Sequence, residues 1–540
     1  MVSDNIRINS CSAVSNPGVS PSAISIPKQR SQDNGIEEPA VPDSPTKRST
    51  FRVAAILAGL NLAIFIAALE GTTIAPAIAS IISDFHSANG YQWIGGSYLL
   101  ANAAAGPIWV TISDIWGRKP VILTSVIFFF CASIVCAKAT SIEMLIIGRA
   151  FQGTAAGGIL MLVLSIQSDI FKVMWCLAGG IGPVIGGALA EYNWRWIFWI
   201  NLPISGCAFI LLLIFLNVHN PRTAFLEGFK AIDWLGSLSI IGLTLMLLLG
   251  LDFGGTIAPW SSPKVVCLIV VGALMSLVFV YVEKRFARCP LMPLGIFKSR
   301  SNVACVLVGF AHGFVFIAAE YYIPLQLQST KELSPLHAGL FTLPIVVGEG
   351  VMGIVAGFYI HYTGRYLELI YAGCTLMAIG TGMYISLEAD SSFGLFIGSE
   401  LVGGFGAGML FAPPLIAMQN LVPQEDTATA TATFGFCRAI ATAMSIVIGG
   451  VVFQNGMEAR VKYLLAEGLP LSLAEQYSGQ EAAANVLRIP DIENIEHKNA
   501  IKEAYAWSLS NMWIMFTVVA VLGVVAGASE KKSGNDTINN

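Results

Sequence analysis

The sequence predicts an all-α integral membrane protein built from two related six-helix halves with two extra helices between them. Three observations predict it: too few charges for a polar surface, fourteen apolar stretches of spanning length, and short motifs that recur about 250 residues apart.

Composition sets the class. Of 540 residues, 55% are hydrophobic and only 12% charged, whereas a soluble globular chain carries about 25% charged residues. So few charges cannot clothe the surface in water, and lipid must cover much of it. The 53 glycines suit helices that pack closely in a bilayer. A net charge of −4 gives no sign of a nucleic-acid partner. The ten cysteines form no CxxC pair, so neither a disulfide framework nor a metal site is expected. No cofactor is called for.

A spanning helix needs about 20 mostly apolar residues. Such stretches fall near 53–78, 92–112, 121–138, 143–166, 173–190, 195–216, 234–251, 264–282, 302–324, 337–360, 366–387, 393–418, 432–453 and 507–527. An even count puts both tails on one side. With that side inside, the short inner loops hold eleven Lys/Arg and the short outer loops four, as the positive-inside rule requires. The expected organisation is a disordered cytosolic tail over 1–50, rich in Ser and Pro; an N-terminal half over 51–218; two inserted helices and a basic cytosolic loop over 219–300; a C-terminal half over 301–527; and a short cytosolic tail over 528–540. Within the C-terminal half, 455–506 is acidic, falls outside, and reads as a small extracytoplasmic segment with a helical stretch from Glu458 to Glu467. The sequon at Asn535 falls in the cytosolic tail and should go unused.

The repeat ties the halves together. Asp114, Gly117 and Arg118 after the second span match His361, Gly364 and Arg365 after the tenth. Gly148, Gly153 and Gly158 of the fourth span match Gly398, Gly403 and Gly408 of the twelfth. Two such halves around a midplane site are the plan of an alternating-access transporter.

Three motifs carry the function. Ser113-Asp114-Ile115-Trp116-Gly117-Arg118-Lys119-Pro120 occupies a tight inner turn. Arg149-Ala-Phe-Gln152-Gly153 places a cation inside an apolar span, which costs about 3 kcal/mol on insertion scales and so suggests a functional site; the matching position in the second half is Ser399. Gly182-Pro183-Val-Ile-Gly186-Gly187 lies in the fifth span and is followed by Glu191-Tyr-Asn-Trp194-Arg195-Trp196 and Asn201-Leu-Pro203. On these motifs the chain resembles the major facilitator superfamily, and within it the fourteen-span drug:proton antiporters, in particular fungal toxin and multidrug efflux pumps. The resemblance covers nearly all of 51–527.

The resemblance implies a major facilitator fold and proton-driven export of small, hydrophobic compounds by a monomer in the plasma membrane, or in the vacuolar membrane. It implies a conformational latch at Asp114, Gly117, Arg118 and Lys119, proton coupling at Arg149, and an antiporter motif at Gly182, Pro183, Gly186 and Gly187. Two departures stand out. Val110 replaces the usual glycine four residues before Asp114. A dozen or so residues that the family carries between spans four and five are missing around 169–174, which suggests either a short variant or a mis-spliced transcript.

Other intramembrane ionisable residues complete the candidates. Glu70 lies where relatives carry Asp. Glu349, within Gly348-Glu349-Gly350, is the carboxylate best placed for proton exchange or cation contact. Glu320, Glu400, Arg438 and His312 are weaker candidates, each open to a structural role. No substrate-binding residue can be named. No Walker A motif or nucleophile–base set is present, so neither an enzyme nor an ATP-driven pump is expected. A carrier of amino acids, siderophores or other metabolites is the alternative within transporters, and a non-transporting receptor the alternative outside them.

Overall fold

The computed structural model describes residues 50–85, 90–166, 168–216, 234–254, 258–285, 292 and 294–529. The N-terminal tail, 217–233 and most of the C-terminal tail lie outside these residues. The described chain is helical: α1 Thr50–Phe85, α2 Tyr91–Trp116, α3 Arg118–Ala137, α4 Ile142–Ile166, α5 Ser168–Asn193, α6 Trp196–Trp199, α7 Asn201–Phe215, α8 Trp234–Phe253, α9 Pro263–Arg285, α10 Arg300–Lys331, α11 Pro335–Phe341, α12 Leu343–Thr363, α13 Leu367–Met383, α14 Phe393–Met409, α15 Pro413–Asn420, α16 Thr427–Ala466, α17 Leu471–Gln476, α18 Gly479–Asn485 and α19 Ile495–Ala528.

Among the described residues, twelve segments are long and apolar enough to cross a membrane. The count of fourteen depends on two more, α2 and α5, each 26 residues long. Helix α2 is diluted by glycine and polar residues and turns Gln92, Ser97 and Ser113 into the protein interior, whereas in α5 the side chains of 168–173, 175 and 176 lie outside the described residues. Such residues lower mean hydropathy without facing lipid. Three spans are broken: at Ile200 between α6 and α7, at Thr342 between α11 and α12, and between α14 and α15, where Pro413 and Pro414 open the second helix. Pro lacks the donor that would continue the preceding helix and fits the first turn of a new one.

The internal repeat is a repeat of packing. In the N-terminal half α1 lies on α5 and α7, α2 on α4, and α3 on α4 and α7. In the C-terminal half α10 lies on α16 and α19, α12 on α14, and α13 on α14 and α19. The seam between halves is also paired, with α2 on α16 and α5 on α11. Helix α10 is the most enclosed span, 83% of its apolar window being buried, and the inserted α9 the least, at 22%. Helix α9 turns Val266, Val270, Leu274 and Leu277 outward, as a lipid-facing helix does.

The segment expected over 455–506 begins and ends in helices that continue from the neighbouring spans. Helix α16 runs unbroken to Ala466 and α19 starts at Ile495, so the cap proper is the stretch between them. Its Ala474, Tyr477, Ala482, Val486 and Ile489 belong to the same buried cluster as Tyr91 of α2 and Tyr322 of α10. We name this end of the molecule the cap side. Several contacts hold the halves together there. Tyr321 Oη donates to the Tyr91 carbonyl at 2.6 Å, Gln328 Nε2 to the Pro76 carbonyl at 3.0 Å, and the Gln92 and Gln454 amides exchange two bonds of 3.2 and 2.9 Å. Asp252 of the inserted helix α8 joins them, accepting from Gln92 at 2.9 Å and from the Trp93 indole at 2.8 Å.

Glu332 ties the end of α10 to α19. It stands at φ 54° and pairs with Lys502 at 3.0 Å and Lys498 at 3.6 Å. Partial burial alone would raise its proton affinity, but the two ammonium groups outweigh that and hold the carboxyl below the usual carboxylate range. Its stabilising contribution is therefore present above the unfolded-state value of 4.5 and is lost as pH falls through the lower folded value. The expected loss on acidification is at most about 1 kcal/mol, seen as faster amide exchange over 471–491 after correction for intrinsic rate. Glu332→Gln should remove that pH dependence; an unchanged dependence would assign it elsewhere.

Candidate functional site

The N-terminal half encloses a charged cage. Arg149 of α4 is fully buried and forms an ion pair with Glu70 of α1. Its Nε donates to the Ile94 carbonyl at 3.0 Å and its Nη1 to Gln152 Oε1 at 2.9 Å. Gln152 Nε2 in turn donates to Ser133 Oγ at 3.0 Å. Asn201 Nδ2 donates to the second Glu70 oxygen at 2.5 Å. The guanidinium lies 4.3 Å from the centre of the Tyr98 ring, a cation–π distance, and Tyr98 Oη is anchored on the Ala67 carbonyl at 2.7 Å. A cation this far from water does not snorkel; its charge is balanced by Glu70, and its Nε and Nη1 donate while Nη2 makes no hydrogen bond. The sequence pointed to Arg149 and Glu70 separately but not to their pairing. The signal for Asn201 was its place in Asn201-Leu-Pro203, and for Gln152 its three-residue spacing from Arg149 on one helix.

The Gly-Pro segment of α5 faces two neighbours. A Cβ at Gly182 would strike the Thr72 hydroxyl and one at Gly186 the Thr73 carbonyl, both on α1. A Cβ at Gly187 would strike the Pro335 carbonyl and Leu336 of α11, and one at Gly339 of α11 would strike the Pro183 carbonyl. The motif therefore seats α5 within its own half and closes the seam with the other. Glu191 accepts from the Leu336 amide at 3.2 Å just beyond it.

At the opposite side, Gly117 turns the chain between α2 and α3 at φ 93°, a conformation that disfavours any side chain. Its repeat mate Gly364 stands at φ 69°. Lys119 Nζ donates to the Leu213 carbonyl at 2.9 Å, and Arg118 opens α3. Asp114 lies on α2, but its side chain is outside the described residues. The close helix contact left open by Val110 is made further along, where a Cβ at Gly157 would stand 2.6 Å from the Asn102 carbonyl. The α4–α5 connection is short, with one residue, 167, between Ile166 and Ser168. Helix α5 nonetheless keeps 26 residues; the side chains of 169–173 lie outside the described residues.

The C-terminal half gathers a second polar group. Glu320 and His312 come from α10, Glu349 from α12, Glu400 from α14 and Arg438 from α16. The four acidic and imidazole side chains are buried. Glu349 interacts electrostatically with both Glu320 and Arg438. Arg438 Nη1 reaches the Phe411 carbonyl at 3.4 Å, with its guanidinium 4.9 Å from that ring's centre. His312 stacks on Phe316 at 5.1 Å and meets Phe411 edge-on at 4.8 Å. Glu349 Oε1 and Tyr384 Oη make no hydrogen bond. Buried polar atoms without a hydrogen bond occur in both halves: Arg149 Nη2 and Asn201 Oδ1 in the first, and members of this group in the second.

Comparison with known proteins places the chain among transporters. The family model described as Major Facilitator Superfamily matches residues 60–446. The chain is 42% identical over 485 residues to a protein named efflux pump dotC of Dothistroma septosporum, covering 87% of this chain and 83% of that protein. It is 32% identical over 505 residues to one named efflux pump FUS6 of Gibberella fujikuroi, covering 89% of each. Among solved structures, a bacterial homologue of the human lysosomal transporter Spinster superposes with a TM-score of 0.58 at 14% identity, over 90% of this chain and 100% of that one. The nucleoside transporter NupG gives a TM-score of 0.52 at 13% identity, over 89% of this chain and 99% of that one. These two likenesses concern the fold alone.

Proposed function

The chain belongs to the Major Facilitator Superfamily, a multi-pass family of membrane transporters rather than enzymes, and on that premise we propose that it is a proton-coupled antiporter exporting small, hydrophobic compounds such as drugs, toxins or secondary metabolites. The observation that carries the reading is the Gly182–Gly187 segment, held against α1 on one side and against α11 of the other half on its neighbouring side. A span that touches both halves at glycine is suited to a seam that opens and closes. The names of the relatives in two fungi, both called efflux pumps, support export as the direction. The excess of Lys/Arg on the side opposite the cap supports a cytosolic position for that side. We read the protein as a monomer of the plasma membrane, with the cap outside and the Gly117 turn serving with Arg118, Lys119 and Asp114 as an inner latch.

Export is tested in sealed inside-out vesicles carrying the protein, with a panel of hydrophobic fungal toxins and a protonophore. Accumulation of at least one panel member, abolished by the protonophore, is the expected result. Accumulation indifferent to the protonophore would leave a transporter but remove the proton.

A further inference from the structure

The two helices inserted between the halves take no part in the repeat, and they hold the two halves unequally. Helices α8 and α9 meet closely at glycine: a Cβ at Gly250 would stand 2.8 Å from Ile269, and one at Gly272 2.9 Å from Leu247. Packing this close makes the hairpin one unit. Toward the C-terminal half it is attached along its length. Met292, just beyond α9, lies 3.9 Å from Cys437 of α16 between sulfurs. Ile240 and Phe279 share a buried cluster with Phe436, and Leu248 shares another with Ala443 and Val447. Toward the N-terminal half it holds the outer end of α2, where Leu100 joins the Leu248 cluster and Asp252 binds Gln92 and Trp93.

That last grip is specific. Asp252 is buried in the last turn of α8. Its two oxygens accept from consecutive residues, Oδ1 from the Gln92 amide at 2.9 Å and Oδ2 from the Trp93 indole at 2.8 Å. Neighbouring side chains on a helix point about 100° apart, so one carboxyl holding both fixes the rotation of α2 as well as its distance. Gln92 is also the amide that bridges to Gln454 of α16, and a Cβ at Gly450 would strike it, so α16 lets this side chain lie against its backbone. The turn behind Asp252 is braced. The Trp260 ring covers Gly254, and Lys264 Nζ lies 4.4 Å from the centre of the Phe253 ring. A hairpin that only filled space against lipid would need no carboxyl inside an apolar span, where an ionisable group is costly.

We propose that the inserted hairpin is a clasp on the exit. It travels with the C-terminal half through α16, and Asp252 is the positioning residue that ties α2 of the other half to it, so the Asp252 bonds release whenever the cap side opens. The inference rests on the transport reading above, in which the cap side opens to discharge cargo. With the cap side closed, the carboxyl keeps Gln92 aimed at Gln454 and the bridge between halves stays in register. Without it, Gln92 is free to turn away and α2 to rotate. On opening, water entering the parted seam replaces the two hydrogen bonds that Asp252 gives up.

The test needs no cargo. In the full-length protein with its ten native cysteines replaced, Gln328→Cys puts a thiol on α10 at a buried position that bonds to the Pro76 carbonyl across the seam. It therefore reports on the α1–α10 contact rather than on α2 or α16. The protein is placed in lipid nanodiscs and its alkylation by a water-soluble maleimide is timed. While opening and closing outpace alkylation, the rate follows the open fraction. Asp252→Ala should raise the rate roughly tenfold to a hundredfold, the scale of losing a carboxyl's hydrogen bonds. Trp93→Phe keeps a ring and removes one donor, so it should raise the rate by less, and it decides the matter if Asp252→Ala does not fold. Gln92→Ala should also raise the rate, and adding Asp252→Ala to it should have less effect than Asp252→Ala alone, since the two share a bond. Effects that simply multiply would overturn the action of Asp252 through Gln92. A parent that is alkylated but not accelerated by Asp252→Ala or Trp93→Phe would overturn the clasp and leave the transport reading standing. A thiol that stays unreactive in the parent and in every variant would mean that the cap side does not open, and would remove both.

Discussion

Arg149→Ala is expected to cost the fold about 3–5 kcal/mol, because it leaves Glu70 as a buried charge without its partner. Arg149 is fully enclosed, and its three hydrogen-bonded neighbours, Ile94, Gln152 and Glu70, come from three helices. Removing it should lower the melting temperature in detergent sharply and reduce the folded protein in the membrane, and export should fall with it. The informative variant is the double replacement Glu70→Gln with Arg149→Gln. It takes out both charges while keeping similar volumes, and a buried pair replaced by neutral groups often costs little. The double variant should regain most of the lost melting temperature. If the pair is structural, the double variant should also keep protonophore-sensitive export. Recovery of stability without recovery of export would instead put the exchangeable proton on Glu70 beside Arg149, the residue that the family resemblance links to coupling. A single Arg149→Ala variant as stable as the parent would remove the structural role.

Much of this was legible because membrane physics leaves few choices. Backbone polar groups must be satisfied within each span, so apolar length and loop charge suffice to lay out helices, and a fixed-distance repeat suffices to pair them. Arg149, Glu70 and Glu349 stood out because ionisable residues inside a span are rare. What the sequence did not reveal was which of them meet. Arg149 and Glu70 are 79 residues apart, and Glu70 and Asn201 are 131 apart; no local periodicity encodes such pairs. The Gln92–Gln454–Asp252 cluster was missed for the same reason, since single amides in apolar stretches give no signal until three helices converge. The helical stretch read from Glu458 to Glu467 is the end of a longer element, because a helix leaving a membrane changes its residue composition without ending: α16 becomes polar near Asn455 and winds on to Ala466. The repeat, in contrast, held more than its motifs showed. Its offset matched Arg149 with Ser399, a fact written in the sequence that acquires meaning only once Glu70 is seen to be paired.

Gly187→Val is expected to hold the cap side open and to abolish export. The Cβ of any residue at 187 would occupy the position of the Pro335 carbonyl and Leu336 at the start of α11, and that obstacle is backbone, which cannot rotate aside. Ser334 caps α11 through the His337 amide at 3.4 Å, and Pro335 and Gly339 of the same helix are buried, so α11 cannot yield by a change of rotamer. The closed seam must part, and the Glu191–Leu336 bond beside it must part too. Because the valine lies at the contact between halves, the cost falls on the closed arrangement rather than on either half alone. The protein should therefore fold and insert while favouring the other arrangement; a bias of about 2.7 kcal/mol would shift the equilibrium roughly a hundredfold. Gly186→Val is the contrasting variant. Its Cβ strikes Thr73 within the N-terminal half, so it should lower the melting temperature without a preference between arrangements. The distance between spin labels at Tyr192→Cys and Glu388→Cys, two exposed positions on opposite halves, separates the two. A long distance at all pH in Gly187→Val, with little loss of melting temperature, is the expected outcome. A short distance in a well-folded Gly187→Val would mean that the α5–α11 contact does not govern closure, and would remove the Gly-Pro segment from the gate.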